Sequence, residues 1–505
     1  MANQGDEVRF ESAAGKWVLA VTVLGSGLAF LDGTVVNVAL PSIGEDLNAT
    51  TSSLQWILNG YLLTLASLIL LGGSLGDHFG RRRVFVLGVI LFTVSSLLCA
   101  IAPTVETLIG ARLLQGVGGA LLTPGSLAMI EATFVRGDRA RAIGAWSGLG
   151  GVATAIGPLL GGYLVDAVSW RMIFLINLPI GIFVSFMAVR HVPESRDPYA
   201  TGRIDFPGAI LAAIGLGGTT YALIEAPDRG ASALVVLAGT LGLVSLACFL
   251  VVERRSSSPM MPLKIFRSRQ FSAANLVTFV VYSALGGVFF LLVSFLQISL
   301  GYSAIEAGAA SLPVTAIMLL FSARSGALAQ KIGPRIPLTL GPMIIAAGLM
   351  LMTRINPGDS YVAYVLPAVL VFAAGLTLVV APVTATVLAA VEDRNAGIAS
   401  GINNAVSRVG GLLAVAVLPV IAGLTGDQFY DPGAMTGGFH VAMVVCAALS
   451  ALGGVFAWLT IRSDVLHEEP ESAAGPTGEL PERVEIYSCS ADGSPLRTSV
   501  ERDPE

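Results

Sequence analysis

The chain has 505 residues, 54% hydrophobic and 12% charged, with a mean hydropathy of +0.77. Soluble globular domains carry about a quarter charged residues, so this composition excludes one and predicts an integral membrane protein. The formal net charge of −5 is local: residues 462–505 hold eleven acids and four arginines, which leaves +2 for the rest, so the acidity implies no basic partner for the body.

Residues 1–16 are polar and include three acids, which reads against a cleaved signal peptide and for a cytoplasmic N-terminus. Apolar segments of membrane-spanning length follow at 17–41, 53–75, 84–102, 105–132, 141–167, 171–190, 204–226, 231–252, 271–299, 304–331, 335–354, 360–391, 395–425 and 436–461. A helix needs ~20 apolar residues to cross a ~30 Å core, so fourteen transmembrane helices are expected. Alternate turns carry the basic residues, among them Lys16, Arg81 to Arg83, Arg136, Arg139 and Arg141, Arg190, Arg196 and Arg203, Arg254 and Arg255, Lys331 and Arg335, Arg394 and Arg462. The other turns offer Arg171, Arg229 and Arg354. Lys and Arg mark cytoplasmic loops, so both termini are expected in the cytoplasm.

Within the first segment Asp32 is the sole ionisable residue between Lys16 and Glu45. A carboxylate in hydrocarbon costs several kcal/mol unless paired, hydrated or protonated. It stands fifteen residues past Trp17, at ~22 Å depth. Arg112 enters from the opposite face and reaches roughly 20 Å from the inner one, so the two charges are expected at one level. The plain alternative is a static pair that locks two helices, or an Arg112 that snorkels outward.

After the second span, Gly73, Asp77, Gly80 and Arg82 recur in spacing as Gly326, Gln330, Gly333 and Arg335 after the tenth, 253 residues on. Two equivalent halves are implied, separated by an even insertion: 17–190 and 271–461 as six-helix bundles, 204–252 as two linking helices, and 462–505 as a disordered acidic cytoplasmic tail.

These motifs resemble those of the major facilitator superfamily, in its fourteen-helix drug:proton antiporter branch. The resemblance runs from about Trp17 to Arg462. It rests on Asp32, Gly33, Thr34, Asn37, Ala39 and Pro41 in the first helix, on the loop from Gly73 to Arg83, on Arg112, Gln115, Gly116 and Gly118 in the fourth, and on Gly157, Pro158, Gly161 and Gly162 in the fifth. Ala153 stands where that fifth-helix motif commonly has glycine. The resemblance implies an all-α major facilitator fold with an exporter motif in the fifth helix. It implies a cytoplasmic loop gate in which Gly73, Asp77, Gly80, Arg81, Arg82 and Glu131 hold one state of the cycle.

Physically, Asp32 and Arg112 are the expected proton-coupling pair, because a carboxylate beside an arginine ionises and a desolvated one keeps its proton. The glycines of the fifth helix give a smooth face and Pro158 removes a backbone hydrogen bond. Asn37, Asn59, Tyr61, Gln115, Tyr282, Gln297 and Asn403 are candidates for a substrate cavity, with Asn404 and Arg408; interhelical bonding is the commoner fate of such groups. Glu225 is expected to be solvated at the outer end of its helix, and Arg324 and Arg408 to snorkel from cytoplasmic ends.

No Walker phosphate loop occurs, and the four histidines (His78, His191, His440 and His467) have no zinc spacing. The four cysteines, Cys99, Cys248, Cys446 and Cys489, stand singly. Neither a metal nor another cofactor is expected, and energy is assigned to a proton gradient. The expected protein is a monomer of the cell membrane that exports small amphipathic drugs or antibiotics, cationic or neutral, with no nucleic-acid partner and no enzymatic site. The alternatives are an importer or facilitator of a nutrient on the same fold, and a sensor acting through its tail.

Overall fold

The structure, a computed structural model, describes residues 8–197, 204–392 and 395–466 and two short strands further on. Arg203, Arg394, His467 and most of the tail, where the sequence predicts disorder, lie outside the described residues. Within the unit His467–Glu505, Ile486–Cys489 (β1) pairs antiparallel with Pro495–Thr498 (β2).

Among its described residues the unit Met1–Leu466 contains fourteen helices long and apolar enough to cross a membrane. In order they are α1 Ala13–Leu47, α2 Thr51–Phe79, α3 Arg81–Ala100, α4 Val105–Thr133, α5 Arg136–Ala167, α6 Met172–His191 and α7 Phe206–Arg229. There follow α8 Ala233–Arg255, α9 Arg269–Ile298, α10 Ala304–Ile332, α11 Arg335–Met352, α12 Tyr361–Ala389, α13 Ala396–Ile421 and α14 Pro432–Thr460. The expected first span stopped at Pro41, whereas α1 runs on to Leu47 with Pro41 inside it and Asn48 closing it at φ 50°. A buried proline forfeits only its own donor, and the flanking turns hold. α10 is interrupted at Ser311, just before Pro313, and α12 opens on a π turn at Tyr361–Val365, just before Pro367.

Helix pairing repeats between the halves. α1 packs on α5, α2 on α4, α3 on α4 and α3 on α6; likewise α9 on α13, α10 on α12, α11 on α12 and α11 on α14. The repeat reaches individual residues. A Cβ on Gly88 would lie 2.9 Å from the carbonyl oxygen of Gly118, and one on Gly341, 253 positions later, 3.0 Å from that of Gly375. Without side chains there, α3 meets α4 and α11 meets α12 backbone to backbone, as helices in lipid do. The halves meet through α2 with α13, α5 with α10 and α1 with α9, a crosswise pattern related by the same pseudo-symmetry.

The inserted hairpin α7–α8 leans through α7 on α2 and α13. Glu225, expected to be solvated, is 8% exposed. It accepts from the Trp56 indole at 3.0 Å and pairs with Arg229 at 2.7 Å, so it anchors the hairpin to α2. The indole supplies a donor that an acid at this depth otherwise lacks.

The α2–α3 and α10–α11 turns are each strapped by the segment that follows the last helix of their own half. Gly80 (φ 113°) stands where a Cβ would lie 2.7 Å from Glu194, and Gly333 (φ 80°) where one would strike the carbonyl of Ser463. Positive φ costs an L-residue about 1–3 kcal/mol, to which the clash adds. Gly80→Ala and Gly333→Ala should each lower the melting temperature of the purified protein, measured by a thiol-reactive or intrinsic-fluorescence melt, whereas Gly230→Ala, at φ 58° in open space, should lower it less.

Candidate functional site

Asp32 lies mid-way along α1 and is fully buried, and Arg112, seven residues into α4, is 1% exposed. Arg112 Nη1 donates to Asp32 Oδ2 at 2.5 Å and to Gln115 Oε1 at 2.5 Å, and its Nε donates to the Ile57 carbonyl at 3.0 Å. Gln115 Nε2 donates to Asp32 Oδ1 at 2.8 Å and to Ser96 Oγ at 2.9 Å, and the Asn177 amide reaches the same hydroxyl at 3.3 Å. The guanidinium lies over the Tyr61 ring at 4.5 Å. Five helices of one half, α1, α2, α3, α4 and α6, thus enclose one ion pair. Arg112 does not snorkel; its charge is met within the protein. Ser96 and Asn177 escaped the sequence reading, since a serine or asparagine in an apolar segment carries no sign of which way it faces.

Beside this pair is a cavity of about 500 Å³. The first half supplies Phe30, Asn37, Tyr61, Arg112, Thr154 and Pro158 to its wall, and the second supplies Tyr282, Phe289, Ser311, Thr384, Asn403, Asn404 and Arg408. These sit on α1, α2, α4 and α5 and on their counterparts α9, α10, α12 and α13. The break in α10 places Ser311 at the cavity, where irregular backbone is tolerated. Of the sequence candidates, Asn37, Tyr61, Tyr282 and Asn403 line this space, and Asn59, Gln115 and Gln297 do not. Asn59 is fully buried with no partner for its amide, Gln115 belongs to the ion-pair network, and Gln297 donates to the Val38 carbonyl at 3.0 Å.

Arg408 corrects another expectation. It is not near an end of its helix but twelve residues into the 26 of α13. Its aliphatic stem needs no lipid route outward because the cavity gives the guanidinium polar space.

The candidate gate residues gather at the face that bears the basic turns. Asp77 pairs with Arg81 at 2.9 Å, and Arg81 also donates to the Ala128 carbonyl at 3.3 Å. Glu131 lies within the fields of Arg81 and Arg139. Arg82 is drawn away from this cluster: it donates to the Val192 carbonyl at 2.9 Å and approaches Glu194 at 3.6 Å, as Arg83 does. Glu194 was legible as an acid set among His191, Arg190 and Arg196.

The opposite face is sealed by contacts between the halves. Asp166 accepts from the backbone N–H groups of Ala304 at 3.2 Å and Ile305 at 2.8 Å. A carboxylate in the last turn of α5 opposes its own helix dipole, and at the N-terminus of α10 it finds a favourable one. Gln55 donates to the Val415 carbonyl at 2.7 Å and Thr51 to that of Gly426 at 2.8 Å. The Tyr430 hydroxyl donates to the Ala49 carbonyl at 2.6 Å, and burial pushes this phenol up to about 12, so it stays a donor at any physiological pH. In the fifth-helix motif, Gly157 and Gly161 admit Thr34 and Val35 of α1, whereas Gly162 admits the α10 backbone at Ala304. The motif therefore faces both its own half and the other.

The sequence matches the Major Facilitator Superfamily over residues 22–415, and the chain belongs to that family. It is thus a multi-pass transport protein of the cell membrane and not an enzyme. It is 34% identical to the puromycin resistance protein pur8 of Streptomyces alboniger over 92% of this chain and 95% of that protein. It is 34% identical to the methylenomycin A resistance protein of Bacillus subtilis (92% and 98% covered), and 36% identical to the tetracenomycin C resistance and export protein of Streptomyces glaucescens (82% and 77%). Its fold is similar to a bacterial homologue of the human lysosomal transporter Spinster in an inward-facing, unoccupied conformation, with TM-score 0.66, 18% identity and 90% and 98% of the two chains covered.

Closure of the far face depends on α5 and α10 touching at Gly162. Gly162→Leu should hold the halves apart there. A cysteine introduced at Asn37, labelled by a membrane-impermeant maleimide from that face, should react at least several-fold faster in the Gly162→Leu background than without it, after subtraction of labelling at the native cysteines.

Proposed function

We propose that the protein exports amphipathic drugs or antibiotics by alternating access, exchanging them for protons carried on Asp32. The observation that carries the reading is the buried Asp32–Arg112 pair whose arginine forms part of the wall of a cavity lined by both halves. The export and resistance proteins among its relatives support the substrate class. The excess of Lys and Arg at one face supports the reading of that face, and of both termini, as cytoplasmic. The sealed far face is then external, and the substrate enters from the cytoplasmic side. The cavity is formed within one chain, which suits a monomer.

Asp32 accepts from the Arg112 guanidinium and from the Gln115 amide. Removing one partner of such a pair leaves an uncompensated buried charge, at a cost of about 3–5 kcal/mol. Protonation of Asp32 therefore frees the Arg112 charge towards the cavity and weakens what ties α1 to α4. Deprotonation restores both. A proton entering from outside and leaving inside can in this way bias the two access states in opposite directions. The sequence encodes no nucleotide site, so the gradient supplies the work.

The test separates coupling from transport. In a pump-deficient host, expression should protect against at least one of puromycin, methylenomycin A and tetracenomycin C. In proteoliposomes Asp32→Asn should keep exchange of that compound across the membrane at equal pH, and lose at least tenfold of its accumulation under an imposed pH gradient. Gradient-driven accumulation equal to the unsubstituted protein would refute the role of Asp32, and uptake that lowers resistance would favour the importer.

A further inference from the structure

Two charged residues line the cavity, and both are arginines. Arg112 is neutralised by Asp32 behind it. Arg408 is not: its Nε donates to Asn404 Oδ1 at 3.0 Å, one turn back on α13, and no ion pair to it occurs among the described residues. The phenols Tyr61 and Tyr282, both uncharged, stand in the same wall. No aspartate or glutamate is part of that wall. The cavity therefore offers a net positive charge and a planar guanidinium fork with Nη donors uncommitted, within apolar surface from residues such as Phe30 and Phe289 and beside the aromatic rings of Tyr61 and Tyr282. A half-buried cation in the middle of a membrane-spanning helix is costly unless water or a counter-charge meets it. Guanidinium forks pair most strongly, and bidentately, with planar oxyanions such as carboxylates.

From this we infer that Arg408 is a substrate-recognition residue, and that the cavity selects amphipathic organic acids whose carboxylate, or equivalent acidic oxygen pair, docks on its guanidinium. The inference rests on the reading of this cavity as the substrate site and departs from the expectation of a cationic or neutral substrate. Asn404 orients the fork by holding Nε, and Tyr282 stands in the same wall. The substrate charge is met on α13 of the second half and the proton on α1 of the first, so the two do not compete for one group. Export of an anion against entry of a proton also moves charge in one direction, and an inside-negative potential should accelerate it.

The test uses the full chain in lipid nanodiscs and three probes of one shape: 1-pyrenebutyrate, its methyl ester and 1-pyrenemethylammonium, with empty nanodiscs subtracted. The acid should bind at least tenfold more tightly than the ester or the cation. Arg408→Gln should lose at least tenfold for the acid and leave the ester unchanged, and Arg408→Lys should recover part of the loss. Equal binding of acid and ester by the unsubstituted protein, or tighter binding of the cation, overturns the inference without recourse to any variant. An equal loss for acid and ester in a properly folded Arg408→Gln overturns it too, leaving Arg408 structural. Tight acid binding by a protein that confers no resistance in cells would keep this site and refute the export reading alone.

Discussion

The structure depends on one ion pair. Asp32 and Arg112 are both excluded from solvent in a segment with hydrocarbon around it, and each is tolerable only because the other is 2.5 Å away. The neighbouring helices are arranged to serve them: Gln115 holds the second carboxylate oxygen, Ser96 holds Gln115, and the Ile57 carbonyl takes the guanidinium Nε. A pair so completely enclosed has little room for partial states. Either it is intact and α1, α2 and α4 are bound together, or the carboxylate is protonated and the arginine must find another acceptor, the cavity being the nearest space. That two-valued character is what the proposed exchange cycle would require of a proton site.

The second constraint is the crosswise contact of the halves. α2 with α13 and α5 with α10 are equivalent under the internal repeat, and at the sealed face they are joined by polar bonds, by backbone approach at Gly162 and Gly308, and by a buried apolar cluster that includes Leu54 and Leu58 of α2 with Val415 and Leu418 of α13. The carboxylate of Asp166 on the α10 terminus and the buried Gln55 amide on the α13 backbone are directional, so they specify one closed arrangement.

Much of this was legible in the sequence, and the reasons differ by residue. Span number followed from apolar length and from the alternation of basic turns. The partnership of Asp32 and Arg112 followed from depth, since helical rise converts residue counts to distance. The repeat of glycines 253 residues apart indicated equivalent halves, and its extension to Gly88 and Gly341 became visible only with the helix crossings. What failed was facing. Asn59, Gln115 and Gln297 have the composition of cavity residues, and a single sequence does not say which side of a helix meets the other half. Arg408 failed for another reason: placing it by analogy with lipid-exposed arginines ignored that it sits in the middle of α13, where a cation persists only if the protein provides water or an anion. Asp166 could have been found, because an acid in the last turn of a helix is out of place unless a second helix start lies beside it.

The central claim, that Asp32 carries the transported proton, is tested most directly by infrared difference spectroscopy of the reconstituted protein through a pH titration. The account predicts a protonated-carboxyl C=O band that appears over the same pH range in which gradient-driven transport changes, and that is missing from Asp32→Asn. A band that survives that substitution, or no carboxyl band at any pH at which the protein transports, would contradict it.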